Sequence, residues 1–352
     1  MIATLAVGAC ATEGEALAGD EVLVGAHLVG TGDAKLDGTV ASVLVKDGVI
    51  AAIGKAADAA KKHGTPARDV SGKWLAPAFI DSHVHLVYWD VSAELPAAGV
   101  VAAVDLAAPL DRFFGHDWGK LHVIGAGPMI TAPGGYPTTS WGRDGYGAEC
   151  ATAAAAVSAV DAALDRGARI VKIPLAAGPD LAEDVARAAV DEAHRRHALV
   201  AVHALTDEAA AHGAALGADV LAHMPVAAMA DATVTAWSTR TVIPTLAAFG
   251  GTTNAVENLR RVRAAGARIL YGTDLGNDRV AGIDERELEL MSAAGMDGQA
   301  ILESGTKDPA AFWGFVDLGR IAVGKSASLL VLDADPRATP ATLAHPSAVI
   351  LP

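Results

Sequence analysis

From Trp74 to Gly272 the chain alternates short apolar runs with stretches that carry helix signals, and this constrains the fold more than any other feature. The strand-like runs are Trp74 to Leu86, Gly99 to Leu106, Leu121 to Gly125, Ala168 to Ile173, Leu199 to His203, Asp219 to His223, Thr241 to Leu246 and Arg268 to Gly272. Between them Asp180 and Thr206 suit helix starts. Arg195-Arg196-His197 suits a helix end, and Gly167 and Gly266 fall where C-terminal glycines belong. Eight such units over about 240 residues match an α/β fold of the (β/α)8 TIM-barrel type. An open doubly wound sheet would need a Gly-rich phosphate fingerprint after an early strand, and none is present.

The two ends read differently. Val22-Leu23-Val24, Ala41 to Val45 and Val49 to Ile53 are short β-branched or apolar stretches, with Lys46-Asp47-Gly48 as a hairpin turn. Ile321, Val323 and Leu329-Leu330-Val331 repeat the pattern near the other end. Neither piece has the apolar surface to fold alone, so a small β-sandwich split between residues 21-74 and 318-352 is expected, around a barrel of residues 75-317. The N-terminal Leu5 to Cys10 run resembles a bacterial lipoprotein signal, with residues 1-20 as leader or tether, yet no Lys or Arg precedes Cys10. Two readings follow: a periplasmic or membrane-anchored lipoprotein through Cys10, or a cytoplasmic chain with a frayed end.

Composition removes several function classes. With 27 Lys and Arg against 41 Asp and Glu, a net charge of −14 and no basic cluster, nucleic acid and anionic membrane are poor partners. No apolar run is long enough to span a bilayer. The 2 cysteines cannot build a thiolate zinc site, so any metal must be held by His, carboxylate or Lys chemistry. A small-molecule substrate is the expected partner, and a homo-oligomer stays open.

In a barrel, function gathers at the C-terminal strand ends. The first strand ends Asp81-Ser82-His83-Val84-His85, and strand alternation points His83 and His85 to one side, where two imidazoles can hold one cation. The fourth carries Lys172, the fifth ends at His203, the sixth at His223 and the eighth runs into Asp274. Singly, each has a bland account: a lysine that snorkels to the rim, hydrogen-bonded core histidines, a helix N-cap. Together they fall where a barrel concentrates chemistry. The longest irregular stretch, Thr131 to Gly147, contains Tyr136, Trp141, Arg143 and Tyr146 and is expected to border the substrate pocket, with Arg143 as partner for a substrate carboxylate and Arg279 as a rival anchor.

This ordered set resembles the amidohydrolase superfamily, in the branch of imidazolonepropionase-related proteins and the metal-dependent Xaa-Pro and Xaa-Arg dipeptidases. Leu75 to His85, Gly127-Pro128-Met129-Ile130-Thr131, Gly134-Gly135-Tyr136 and Leu318 to Lys325 extend the likeness. Two positions depart from it: Ser328 follows Ala327 where an Asp is familiar, and Val104 precedes Asp105 where relatives often carry Arg.

The resemblance implies a binuclear hydrolase. His83, His85 and Asp274 would bind one divalent ion, His203 and His223 the second, and Lys172, carboxylated by CO2, would bridge both as a carbamate. Zn2+ suits mixed N and O ligation best, with Mn2+, Co2+ or Fe2+ able to occupy the same set. Asp274 would be general base and then general acid in cleaving a C–N amide bond of a dipeptide or N-acyl amino acid. A lactone or phosphotriester hydrolase with the same site is the alternative. A deaminase fits less well, because single-metal deaminases of the superfamily lack the strand-four Lys, and a non-catalytic relative would have lost ligands.

Overall fold

The computed structural model describes residues 20–176 and 178–352, so the leader and the lipidation reading of Cys10 lie outside the described residues. The chain opens with β1 (Glu21–Leu28), β2 (Val40–Lys46), β3 (Val49–Ile53), β4 (Ala67–Asp69) and β5 (Trp74–Pro77). Parallel strands follow as β6 (Phe79–Val84), β7 (Val100–Asp105) and β8 (His122–Gly125), then the short pair β9 (Met129–Thr131) and β10 (Gly147–Glu149). A second parallel group comprises β11 (Ile170–Leu175), β12 (Leu199–Ala204), β13 (Val220–Ala222), β14 (Thr241–Ile243) and β15 (Arg268–Ile269). The chain closes with β16 (Leu329–Leu332) and β17 (Ala348–Ile350).

The two ends do meet. β16 runs antiparallel to β5, pairing Leu329 with Pro77 and Leu332 with Trp74, in a sheet of order β17-β16-β5-β1-β2-β3, with β4 also on β1. The expected hairpin turn has Asp47 at φ 50° and Gly48 at φ 74°, the left-handed pair that a tight two-residue hairpin requires. The strands form one continuous hydrogen-bonded ladder of seven strands. The cause is β1, which gives one edge to β2 and the other to β4 and then β5 in succession.

The barrel strands likewise differ from one closed ring. They form two parallel arcs, β6-β7-β8 and β11-β12-β13-β14-β15. Beyond β8, the segment that would continue the ring is β9, and its ladder goes to β10. On the other side, the eighth run keeps strand geometry only over Arg268–Ile269, after which single backbone bonds tie it to β6: Ser82 N to Tyr271 O at 2.9 Å, Asp274 N to His83 O at 2.8 Å and His85 N to Leu275 O at 2.6 Å. Gly272 permits this approach, since a Cβ there would lie 2.4 Å from Ile243 Cγ2 and 3.1 Å from the His83 backbone nitrogen.

Helices cover the outer faces of the strands by the usual apolar periodicity. Glu183–Arg195 buries Val185, Ala186, Ala189, Val190 and Ala193 along one face. Thr206 caps the helix Asp207–Leu216 by accepting from Ala209 N, and Gly266 ends Thr253–Ala265 in the left-handed region. Asp180 caps no helix: Ala182 holds that position, and Asp180 accepts from Ala176 N instead. Among the described residues, no helix is long and apolar enough to cross a membrane.

Candidate metal centre

The six strand-end residues singled out in the sequence come together in one buried cluster. His83 lies in β6 and His85 just past it; Lys172 is in β11, His203 in β12, His223 immediately after β13, and Asp274 beyond β15. All six are buried. Asp274 Oδ1 sits 3.3 Å from His83 Nε2 and 3.0 Å from His85 Nε2. Lys172 Nζ is 3.4 Å from His83 Nε2. The His223 ring centroid is 4.6 Å from that of His83 and 4.5 Å from that of His203.

Turning the last residues inward takes unusual backbone. His223 and Asp274 have φ 79° and 61°, left-handed values that non-glycine residues seldom adopt and that gather at functional sites. Asp81 supports the Asp274 turn by accepting from His83 N at 3.0 Å and from the Thr273 hydroxyl at 2.6 Å. Burial pushes the Asp81 carboxyl up to about 7, against the pull of Thr273. Asp105 braces the turn after His85 by accepting from Leu86 N and Ala107 N at 2.8 and 3.0 Å.

The donor set suits a cation. Burial, then neighbouring Lys172, holds His203 down to about 3, and burial holds His83 and His223 well below the ordinary imidazole value, so all three are neutral and keep a lone pair. The buried Nδ1 atoms of His83 and His85 have no hydrogen-bond partner among the described residues, so this cluster is not satisfied as a hydrogen-bonded core would be. Ligand atoms of His83, His223 and Asp274 lie within 4.8 Å of one another, close enough to share an ion. Lys172 is the anomaly: its ammonium would be repelled by a cation, but burial lowers the amine to about 7, against the pull of Asp274 and Asp105.

Aromatic rings wall the cluster. Tyr136 stacks on His203 with centroids 4.9 Å apart, Trp141 lies 4.9 Å from His85, and Phe249 meets His223 edge-on at 4.7 Å. Trp141 Nε1 donates to Tyr136 Oη at 2.7 Å, joining the two rings. The long loop therefore does bring Tyr136 to the site. Arg143 is exposed and makes no hydrogen bond or ion pair with the described residues. Arg279 lies over the rings of Tyr88 at 5.3 Å and Trp89 at 4.8 Å. Trp141 belongs to the loop that the sequence set beside the pocket, whereas Phe249, Thr245 and Asp81 were not singled out from sequence. Asp81 alone had a local signal, two residues before His83 on the same strand.

Residues 110–352 match the amidohydrolase family. The chain belongs to that family. The match spans Lys172, His203, His223 and Asp274 and begins after His83 and His85. This amidohydrolase is an enzyme, a metal-dependent hydrolase acting on carbon–nitrogen bonds. No curated protein sequence matches the chain. Solved structures share its fold: a Xaa-Pro dipeptidase with methionine bound in its active site is 18% identical, with a TM-score of 0.75 over 94% of this chain and 98% of that one. A prolidase complexed with N-methylphosphonate-L-proline is 22% identical, with a TM-score of 0.70 over 94% and 97%. A molinate hydrolase is 21% identical, with a TM-score of 0.70 over 97% and 94%.

Proposed function

We propose that this amidohydrolase is a binuclear enzyme that cleaves the amide bond of a small substrate such as a dipeptide or N-acyl amino acid. The carrying observation is Lys172, wholly buried and 3.4 Å from His83 Nε2, in the middle of four histidines and Asp274. A lysine has no place among neutral imidazoles unless it is modified or paired. As a neutral amine its nitrogen adds to the carbon of CO2 and releases a proton, giving a carbamate whose two oxygens share one negative charge.

His83, His85 and Asp274 would hold one ion, His203 and His223 the other, with the Lys172 carbamate between; Zn2+ suits this mixed N and O set. When bound, two divalent ions polarise a carbonyl and make water acidic enough to act near neutral pH. Asp274 accepts the proton of the attacking water and delivers it to the leaving amine nitrogen. Asn277, whose amide nitrogen is 3.3 Å from both Asp274 oxygens, steadies that carboxylate. Tyr136 and Trp141 cover the site and exclude water from one side. For a substrate carboxylate, Arg279 is the better supported anchor, because Tyr88 beneath it packs on Trp141 at 5.0 Å and Trp141 on His85. Arg143 has no such frame.

Fold likeness to a Xaa-Pro dipeptidase and a prolidase supports the dipeptidase-like branch. The test is a substrate screen across dipeptides, N-acyl amino acids, lactones and phosphotriesters, before and after chelation. Amide hydrolysis that chelation abolishes and Zn2+ restores is expected. Turnover confined to lactones or phosphotriesters, or unaffected by chelation, contradicts the proposal.

A further inference from the structure

Glu287, on the helix Glu285–Ala293, is wholly buried although no cation among the described residues forms an ion pair with it. Its Oε2 accepts from Ala247 N at 2.7 Å, and its Oε1 has no hydrogen-bond partner among the described residues. An acid left half-satisfied in a core costs stability and needs a reason. The reason lies in the segment it holds. Ala247–Phe249 is one turn of 3-10 helix, closed by Gly251 N to Leu246 O at 2.8 Å. The same helix touches the far end of that turn, where a Cβ on Gly251 would meet Leu290 side-chain carbons at 2.7 Å.

Both ends of the turn reach His223. Thr245, immediately before it, is fully buried at φ 44°, a strained value for a β-branched residue, and its Oγ1 lies 2.7 Å from His223 Nδ1. Phe249, at its end, packs against the His223 ring. With Nδ1 engaged by Thr245, Nε2 is the nitrogen left to face His83 and His203. Such outer contacts fix the tautomer and direction of a ligating imidazole.

We propose that Glu287 is a positioning residue for the metal centre: it clamps the Leu246–Gly251 turn so that Thr245 and Phe249 hold His223 ready to bind an ion. The proposal rests on the metal-binding role of His223 given above. Thr245 could not keep its strained backbone if the turn were free to relax, and Glu287 is the side chain that bonds to its backbone from outside.

The experiment measures release of zinc from the loaded full-length enzyme to a chromogenic chelator, with circular dichroism and melting of each variant as a check on folding. Glu287→Leu and Thr245→Val are each expected to speed the loss of zinc by roughly 10- to 100-fold. Glu287→Gln and Thr245→Ser, which keep an acceptor and a hydroxyl, should stay within about threefold of wild type. The Glu287→Leu/Thr245→Val double variant should lose zinc no faster than the worse single one, since both changes act on one contact. Release from folded Glu287→Leu at the wild-type rate, or additive effects in the double variant, would overturn the proposal. If Glu287→Leu does not fold, a Glu287→Gln loss as large as that of Thr245→Val overturns it equally. A wild type that holds no zinc removes the metal reading itself, a result distinct from zinc held equally by wild type and variants.

Discussion

At the scale of single residues, the site is defined by what burial does to ionisable groups. Asp274 touches both His83 and His85 and is the one carboxylate side chain among the proposed ligands, which is the ground for proposing it as the proton carrier. Asp274→Asn should keep bound metal yet lose roughly 10²–10⁴-fold in kcat, measured beside metal content; near-normal turnover would remove Asp274 from that role. Glu287 supports a pH prediction. Burial pushes its carboxyl up to about 8 from 4.5, against the backbone amides of Ala247 and Leu246, with Asp284 and Asp81 adding to the rise. The folded chain therefore holds a proton that the unfolded chain gives up. Its stabilisation is full below about pH 4.5 and is lost as pH rises to about 8. The melting temperature of wild type should fall more steeply across that window than that of Glu287→Gln, by scanning calorimetry; equal slopes would refute it. The six ligand candidates were legible in the sequence because each falls at or near the end of a strand-like run, although Lys172 lies inside β11, which continues to Leu175, and Asp274 lies five residues past β15. Thr245, Phe249 and Glu287 were not, because their importance lies in contacts between elements far apart in the chain.

At the scale of elements, sequence periodicity located the parallel strands well and misjudged how they join. The fifth run, Leu199 to His203, became β12 with one added residue. The seventh run stopped at Ile243, where Pro244 lacks an N–H for the ladder and Thr245 turns to positive φ. The eighth run left strand geometry after Ile269, because the chain must swing Asp274 against His83. None of these breaks follows from hydrophobic pattern alone, since the residues stay apolar while the backbone serves the site. Gly272 marks a close approach of this run to β6. Gly272→Ala should cost about 1–3 kcal/mol by pushing Ile243 and the His83 backbone apart, read from denaturant unfolding, and should weaken metal binding with it. An unchanged midpoint would show that the approach has slack.

At the scale of the whole molecule, residues from opposite ends build one sheet, and its core joins Leu23, Leu28 and Val43 from the first strands to Leu329 and Ile350 from the last and to Ile321, which the sequence read as strand but which precedes β16 outside any strand. This pairing of the ends was legible because neither end could bury itself. The single-sheet arrangement was not, since it depends on β1 sharing an edge between β4 and β5. A chain ending at Ser326 would strip β16 from β5 and leave that core open, and it should be insoluble on expression; a soluble truncation that unfolds cooperatively would contradict this. On the proposed function the charge of −14 takes on a different meaning, since two divalent cations would offset part of it and Lys172, counted as positive, would become an anion as a carbamate. Those ions and the carbamate are tested by elemental analysis of the purified full chain, paired with 13C NMR of the folded enzyme after exposure to 13CO2. Two divalent ions per chain and a carboxylated Lys172 are expected; one ion beside an unmodified Lys172 would contradict the proposed binuclear centre.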